Sequence, residues 1–205
     1  MIRTEIQDDI ASLTIDRPEK ANSLTGEMLA ALRDEVITHR DTAKAIVIKG
    51  TGKVFSAGAD LDEARAGLAL SPVWEELSSA ISGAPCLTIA ALNGTVAGGA
   101  FGMVLASDIR IAVPQAKFFY PVMKLGFLPQ PSDPKRMVRL VGPARAKMIL
   151  MAGEKIDAET ARDWGLIDQL VSQDGMETTI ERLTESVRSA DASHVAAIKA
   201  MVPQA

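Results

Sequence analysis

The sequence predicts a single α/β domain with a helical C-terminal part. Short, β-branched apolar runs such as "AIVIKG" and "CLTIAAL" have the length and composition of buried strands. Turns built from glycine and alanine follow them, and segments with apolar residues four apart read as helices. The length of 205 residues suits one domain with a sizeable core.

The elements follow in order. "IRTEI" and "IASLTI" alternate apolar and polar residues on either side of Asp8-Asp9 and predict a hairpin. "DRPEKANSL" is a loop. Thr25 caps a helix, "GEMLAALRDEVITHR", in which Met28, Leu32 and Val36 recur at four-residue steps. "AKAIVIKG" is a strand closed by Gly50-Thr51-Gly52, and "KVFSAGADL" follows. "SPVWEELSSAIS" is a helix with Ser71 as cap and Pro72 at its first position. "CLTIAAL" is a strand, "GGAFGMVLAS" starts a helix, and "DIRIAV" is the next strand. Two helices, "PSDPKRMVRLVG" and "PARAKMILMAG", are punctuated by Gly142 and Gly153. Asp157 caps a short helix, "LIDQLV" is a strand, and the remainder is amphipathic helix.

A formal net charge of −4 gives no broad basic face for nucleic acid or an anionic membrane. No run approaches the length of a membrane span, and the acidic N-terminal stretch does not read as a secretory signal. The one cysteine, Cys86, lies in an apolar run and reads as a buried structural thiol, which fits a cytoplasmic setting.

Two small-residue turns stand out. One is Phe55-Ser56-Ala57-Gly58-Ala59-Asp60-Leu61, and the other runs from Gly94 to Gly102, "GTVAGGAFG". Bare backbone lets a ligand approach amide N–H groups closely, and a helix start adds partial positive charge. Two such amides converging on one point form an oxyanion hole. Taken singly, each turn is equally a device for tight turning and close helix packing. "GGAFG" lacks the lysine ending of a phosphate loop and the spacing of a dinucleotide fingerprint.

Together with "LTIDRPEKANSL", "AIVIKGTGKVFSAGADL", "AKFFYPVMKLGFLP" and "RLVGPARAKMILMAGEKIDAETARDWGLID", these turns give a sequence that resembles the crotonase, or enoyl-CoA hydratase/isomerase, superfamily. The resemblance covers a core over residues 1–170, followed by a short helical region over 171–205 of the same domain. It implies a spiral of repeated ββα units, usually assembled as trimers or hexamers. It also implies an acyl-CoA thioester substrate held as an enolate. Coenzyme A enters only as part of the substrate, and no separate cofactor is implied. The oxyanion-hole amides fall, by resemblance, at Ala57 and Gly99. Gly58, Ala59, Asp60 and Leu61 would lie along the pantetheine and thioester, and Lys20 and Ala21 match the loop that contacts coenzyme A.

The chain departs from the hydratases of that family at both usual catalytic glutamates, which match Gly102 and Val122 here. Neither residue transfers a proton. Asp133, in "PQPSDPKRM", is a substitute acid/base candidate, and it is equally a helix cap with Ser132 before Pro134. Asp60 reads as a turn-holding side chain. Tyr120 reads as a packing residue with a phenol able to donate a proton. Glu63, Glu75 and Glu76 read as solvated, and His39 and His194 as exposed. The segment after "GLID" is shorter than the helical extension that covers the coenzyme A site in the family. Hydration, isomerisation, decarboxylation and hydrolysis stay open, beside a non-catalytic acyl-CoA binder that kept the fold.

Overall fold

The computed structural model describes residues 1–202, so the last three residues of the helical region expected over 171–205 lie outside it. The hairpin forms where the alternation places it. Strands β1 (Ile2–Gln7) and β2 (Ile10–Ile15) pair antiparallel, with Ile2 opposite Ile15. Asp8 and Asp9 both take positive φ, 49° and 62°, as a two-residue hairpin turn demands.

From β2 the sheet grows in parallel. It adds β3 (Ala45–Gly50), β5 (Leu87–Leu92), β7 (Ile109–Ala112) and β10 (Gln169–Leu170), in the order β1-β2-β3-β5-β7-β10. A second sheet takes the intervening short strands β4 (Val54–Ser56), β6 (Thr95–Ala97), β8 (Lys117–Phe119) and β9 (Ile156–Asp157), in that order. From β3 to β8 consecutive strands therefore alternate between sheets, and helices follow each pair. After β3-β4 come α2 (Leu61–Arg65) and α3 (Val73–Ser82), and after β5-β6 comes α4 (Phe101–Ala106). After β7-β8 come α5 (Val122–Leu125), α6 (Asp133–Val141) and α7 (Pro143–Leu150). This is the expected repeat of ββα units. Because β4 and β6 pair in parallel, the turns that leave them lie side by side.

Helix α1 (Gly26–His39) starts as predicted, with Thr25 Oγ1 accepting the Met28 N–H. It buries Met28, Leu29, Leu32 and Val36 and packs on α3. Full burial of one such aliphatic side chain stabilises the fold by about 1.5–3 kcal/mol. Leu13, Ile46, Phe55, Phe101 and Phe118 form the centre of one continuous core. Asp157 caps α8 (Ala158–Trp164) through the Thr160 N–H. Helices α9 (Met176–Ser189) and α10 (Ala192–Met201) complete the described chain, and α9 lies against β3 and β5.

Some local expectations shift. Helix α3 begins at Val73, one residue beyond Pro72, and Ser71 Oγ accepts the Val73 N–H at 3.4 Å. His39 is half-buried, 3.3 Å from Glu35, whereas His194 is exposed. Cys86 is buried, which pushes its thiol up to about 11 and makes it an unreactive structural group. Among the described residues no helix is long and apolar enough to cross a membrane.

Candidate active site

Two buried asparagines fix the loops from which the site is built. Asn22 Nδ2 donates to the Thr51 and Val54 carbonyls, and its Oδ1 accepts the Arg17 N–H. Asn93 Oδ1 accepts the Gly50 N–H, and its Nδ2 donates to the Gly52 carbonyl. The backbones meet so closely that a Cβ on Gly94 would lie 2.0 Å from the Lys53 carbonyl oxygen. This explains the bare start of the second turn.

The first turn leaves β4 at Ser56, whose Oγ donates to the Asn22 carbonyl and accepts the Gly58 N–H. The Ala57 N–H was expected to face a thioester oxygen. It donates instead to the Ala21 carbonyl at 3.0 Å and is not available to a ligand. Leu24 then bonds on both sides of Ala59, donating to the Gly58 carbonyl and accepting from the Asp60 N–H. In a parallel bridge this pattern turns the N–H of the intervening residue to the opposite side. The Ala59 N–H has no hydrogen-bond partner among the described residues.

The second turn passes through a 3-10 turn, Gly98–Ala100, before α4. Gly98 takes φ 55° and Gly58 takes φ 88°, values that favour glycine. A Cβ on Gly58 would lie 2.8 Å from the Ala97 carbonyl oxygen and 3.3 Å from the Gly99 nitrogen, so the two turns touch. Gly99 stands in the first turn of the helical segment, where backbone N–H groups have no intrahelical acceptor. The Trp74 ring packs on it, 3.0 Å from where a Gly99 Cβ would sit, and Trp74 Nε1 donates to the Leu68 carbonyl at 2.9 Å.

Among the described residues a carboxyl is buried beside this second turn. Asp133 is fully buried at the first position of α6, and its Oδ1 lies 3.5 Å from where a Gly102 Cβ would be. Its Oδ2 accepts the Tyr120 hydroxyl at 2.8 Å, while Oδ1 has no partner. The capping alternative for Asp133 and Ser132 is overturned, because neither side chain caps α6 and Ser132 Oγ is itself buried without a partner. Burial pushes the Asp133 carboxyl up to about 7, against the opposing pull of the Tyr120 hydrogen bond and Arg136. A carboxyl poised there accepts and returns a proton near neutral pH. Tyr120 also stacks on Phe101, with ring centroids 5.2 Å apart, and burial drives its own phenol far above the usual range.

The remaining candidates take their places around these turns. Asp60 caps α2 through the Asp62 N–H and pairs with Arg17 at 2.8 Å, which holds its carboxyl below the usual range. Lys20 is exposed at the end of the 3-10 turn Pro18–Lys20, and Ala21 takes the left-handed conformation that aims its carbonyl at Ala57. Leu61 is exposed at the start of α2. Val122 and Gly102 are both buried and bring no polar side chain. Glu76 is exposed and pairs with Arg33. Glu63 and Glu75, expected in solvent, are half-buried and engaged. Glu63 Oε2 accepts the Gly26 N–H at 2.7 Å, and Glu75 Oε2 accepts the Ser132 N–H at 3.2 Å.

Two-sheet ββα units that bring two bare turns together define a fold shared with known proteins. The enoyl-CoA hydratase/isomerase family model matches residues 5–205, and the chain belongs to that family of acyl-CoA enzymes. It is 38% identical to a Rhodobacter capsulatus protein named "Probable enoyl-CoA hydratase", over 83% of this chain and 68% of that one. It is 30% identical to 1,2-epoxyphenylacetyl-CoA isomerase of Escherichia coli, over 89% of this chain and 74% of the relative. Among solved structures, an enoyl-CoA hydratase/isomerase from Pseudoalteromonas atlantica superposes with a TM-score of 0.89 at 29% identity. That match covers 98% of this chain and 81% of the other.

Proposed function

We propose that this protein binds an enoyl-CoA thioester and shifts its double bond by proton transfer through a dienolate. The Ala59 and Gly99 amides receive the thioester oxygen, and Asp133 carries the proton. The observation that supports this most is the buried Asp133 carboxyl, with its free Oδ1 beside Gly102. In a 3-enoyl thioester the C2–H bond breaks, the proton goes to Asp133, and the electron pair moves toward the thioester oxygen. The proton returns at C4, and the double bond is left between C2 and C3. Each hydrogen bond to the charged oxygen contributes about 3–4 kcal/mol to the transition state. A relative named 1,2-epoxyphenylacetyl-CoA isomerase supports isomerisation of an acyl-CoA as the broad reaction type.

Hydration fits less well, because the two positions of the family's water-handling glutamates are Gly102 and Val122. The test is a panel of crotonyl-, 3-enoyl- and methylmalonyl-CoA in D2O, read by chromatography and mass. The expected result is a retention shift of 3-enoyl-CoA together with deuterium uptake. Gain of water, loss of CO2 or release of free coenzyme A as the main product would replace this reaction with another. Binding without any product would identify a non-catalytic acyl-CoA binder. The loop at Lys20 and Ala21, with Gly58, Asp60 and Leu61, is the proposed contact surface for the coenzyme A portion.

A further inference from the structure

Helices α3 and α6 bring a second carboxylate to the proton-carrying residue. Glu75 stands one residue after Trp74, whose ring covers Gly99. Its Oε2 accepts the Ser132 N–H at 3.2 Å, immediately before Asp133. A second tie joins the stretches that lead into these helices, where Gln130 Nε2 donates to the Ala69 carbonyl at 3.3 Å. We propose that Glu75 is a positioning residue for Asp133, its carboxylate pinning the first turn of α6 against α3 and its negative charge strengthening the neighbouring carboxylate as a base. The inference rests on the isomerase reading given above.

The surroundings of Asp133 leave few other candidates for that task. Tyr120, from the end of β8, donates to Oδ2 and favours the charged form. Arg136, one turn along α6, also favours it. Helix α4 presents Gly102 and has no ionisable residue. Burial is the main influence raising Asp133, and among the described residues Glu75 is the anionic group that adds to it, bearing on Tyr120 in the same sense. A fixed negative charge near a buried carboxyl disfavours a second one, so the proton is held more tightly. A base of higher proton affinity abstracts a carbon-bound proton faster.

Glu75→Gln is the informative variant, because the amide oxygen still accepts the Ser132 N–H while the charge is gone. Two readouts are needed. The first is the Asp133 carboxyl titration, followed by infrared difference spectroscopy of wild type and Asp133→Asn. The second is the pH profile of kcat/KM on 3-enoyl-CoA. The expected result is that both the titration and the acid limb of the profile move to lower pH in Glu75→Gln. The plateau of kcat is expected to fall about threefold to tenfold, with KM changed less. Glu75→Ala should add a loss of thermal stability that Glu75→Gln lacks. An Asp133 titration at the same pH in wild type and Glu75→Gln would overturn the proposal. Because that titration is read without substrate, it decides the role of Glu75 even where the isomerase assignment itself fails.

Discussion

At the residue scale, the proposed isomerase reading rests on Asp133. Asp133→Asn keeps the shape and the Tyr120 contact but cannot take up a proton. Turnover of 3-enoyl-CoA should fall about 100-fold or more, while thioester affinity by calorimetry stays within about threefold. Unchanged turnover would show that another group moves the proton. Tyr120→Phe is a finer probe. Its hydroxyl favours the charged carboxylate, so its loss should move the Asp133 titration, and the acid limb of kcat/KM, to higher pH. A limb that stays in place or moves to lower pH would contradict the hydrogen bond. In sequence, Asp133 was legible only as an ionisable residue near a family motif. Its bond to Tyr120, 13 residues away, depends on how α6 returns over β8. The first small-residue turn shows the same limit. Ala57 and Ala59 are identical residues two apart, and only the partners of their N–H groups tell which is spent on Ala21 and which is free.

Among the elements, the long strands and helices were legible because each carries its own period or cap. Thr25 before α1 and Asp157 before α8 are local signals, and both hold. The strands of the second sheet were not separated from the turns they border. β4, β6 and β8 have three residues each, too few for a period, and β9 has two. They exist because neighbouring strands line them up, parallel for β4, β6 and β8 and antiparallel for β9 on β8, which is a tertiary effect. The glycines do report the contact. Gly94 cannot carry a side chain without displacing the Lys53 backbone that leads into β4. Gly94→Ala should therefore destabilise the fold by about 2–4 kcal/mol, since a buried backbone clash has no flexible side chain to relieve it. Urea unfolding measures this. A loss under about 0.5 kcal/mol, the range of an ordinary surface substitution, would mean that the β4 and β6 turns separate readily. Under the proposed function such separation would also weaken thioester binding, because the two proposed oxygen-binding amides, of Ala59 and Gly99, come from these turns.

For the whole molecule, a buried carboxyl of this kind has a stability consequence. Asp133 holds its proton up to about pH 7 when folded and releases it near its ordinary value of 3.8 when unfolded. Between those values the folded state binds more protons than the unfolded state, so stability falls as pH rises. The stabilising contribution of the protonated form is fully present below about pH 4 and is lost as pH passes through about 7. Integrated from pH 5 to pH 8, this one group costs about 2–3 kcal/mol. Asp60 and Asp157 act in the opposite sense. The Arg17 hydrogen bond holds the first below its usual range and the Thr160 N–H holds the second, so their support is lost as pH falls below about 4. Together these three groups favour mildly acidic solution, and the Asp133 share weakens the fold toward pH 8, where its carboxyl is ionised. Denaturant unfolding of wild type and Asp133→Asn at pH 5 and pH 8 isolates the Asp133 share. The variant should lose less stability over that interval and should exceed wild type at pH 8. Equal losses in the two proteins would mean that Asp133 titrates near its ordinary value, and a base poised near neutrality would then have to be sought elsewhere in the site.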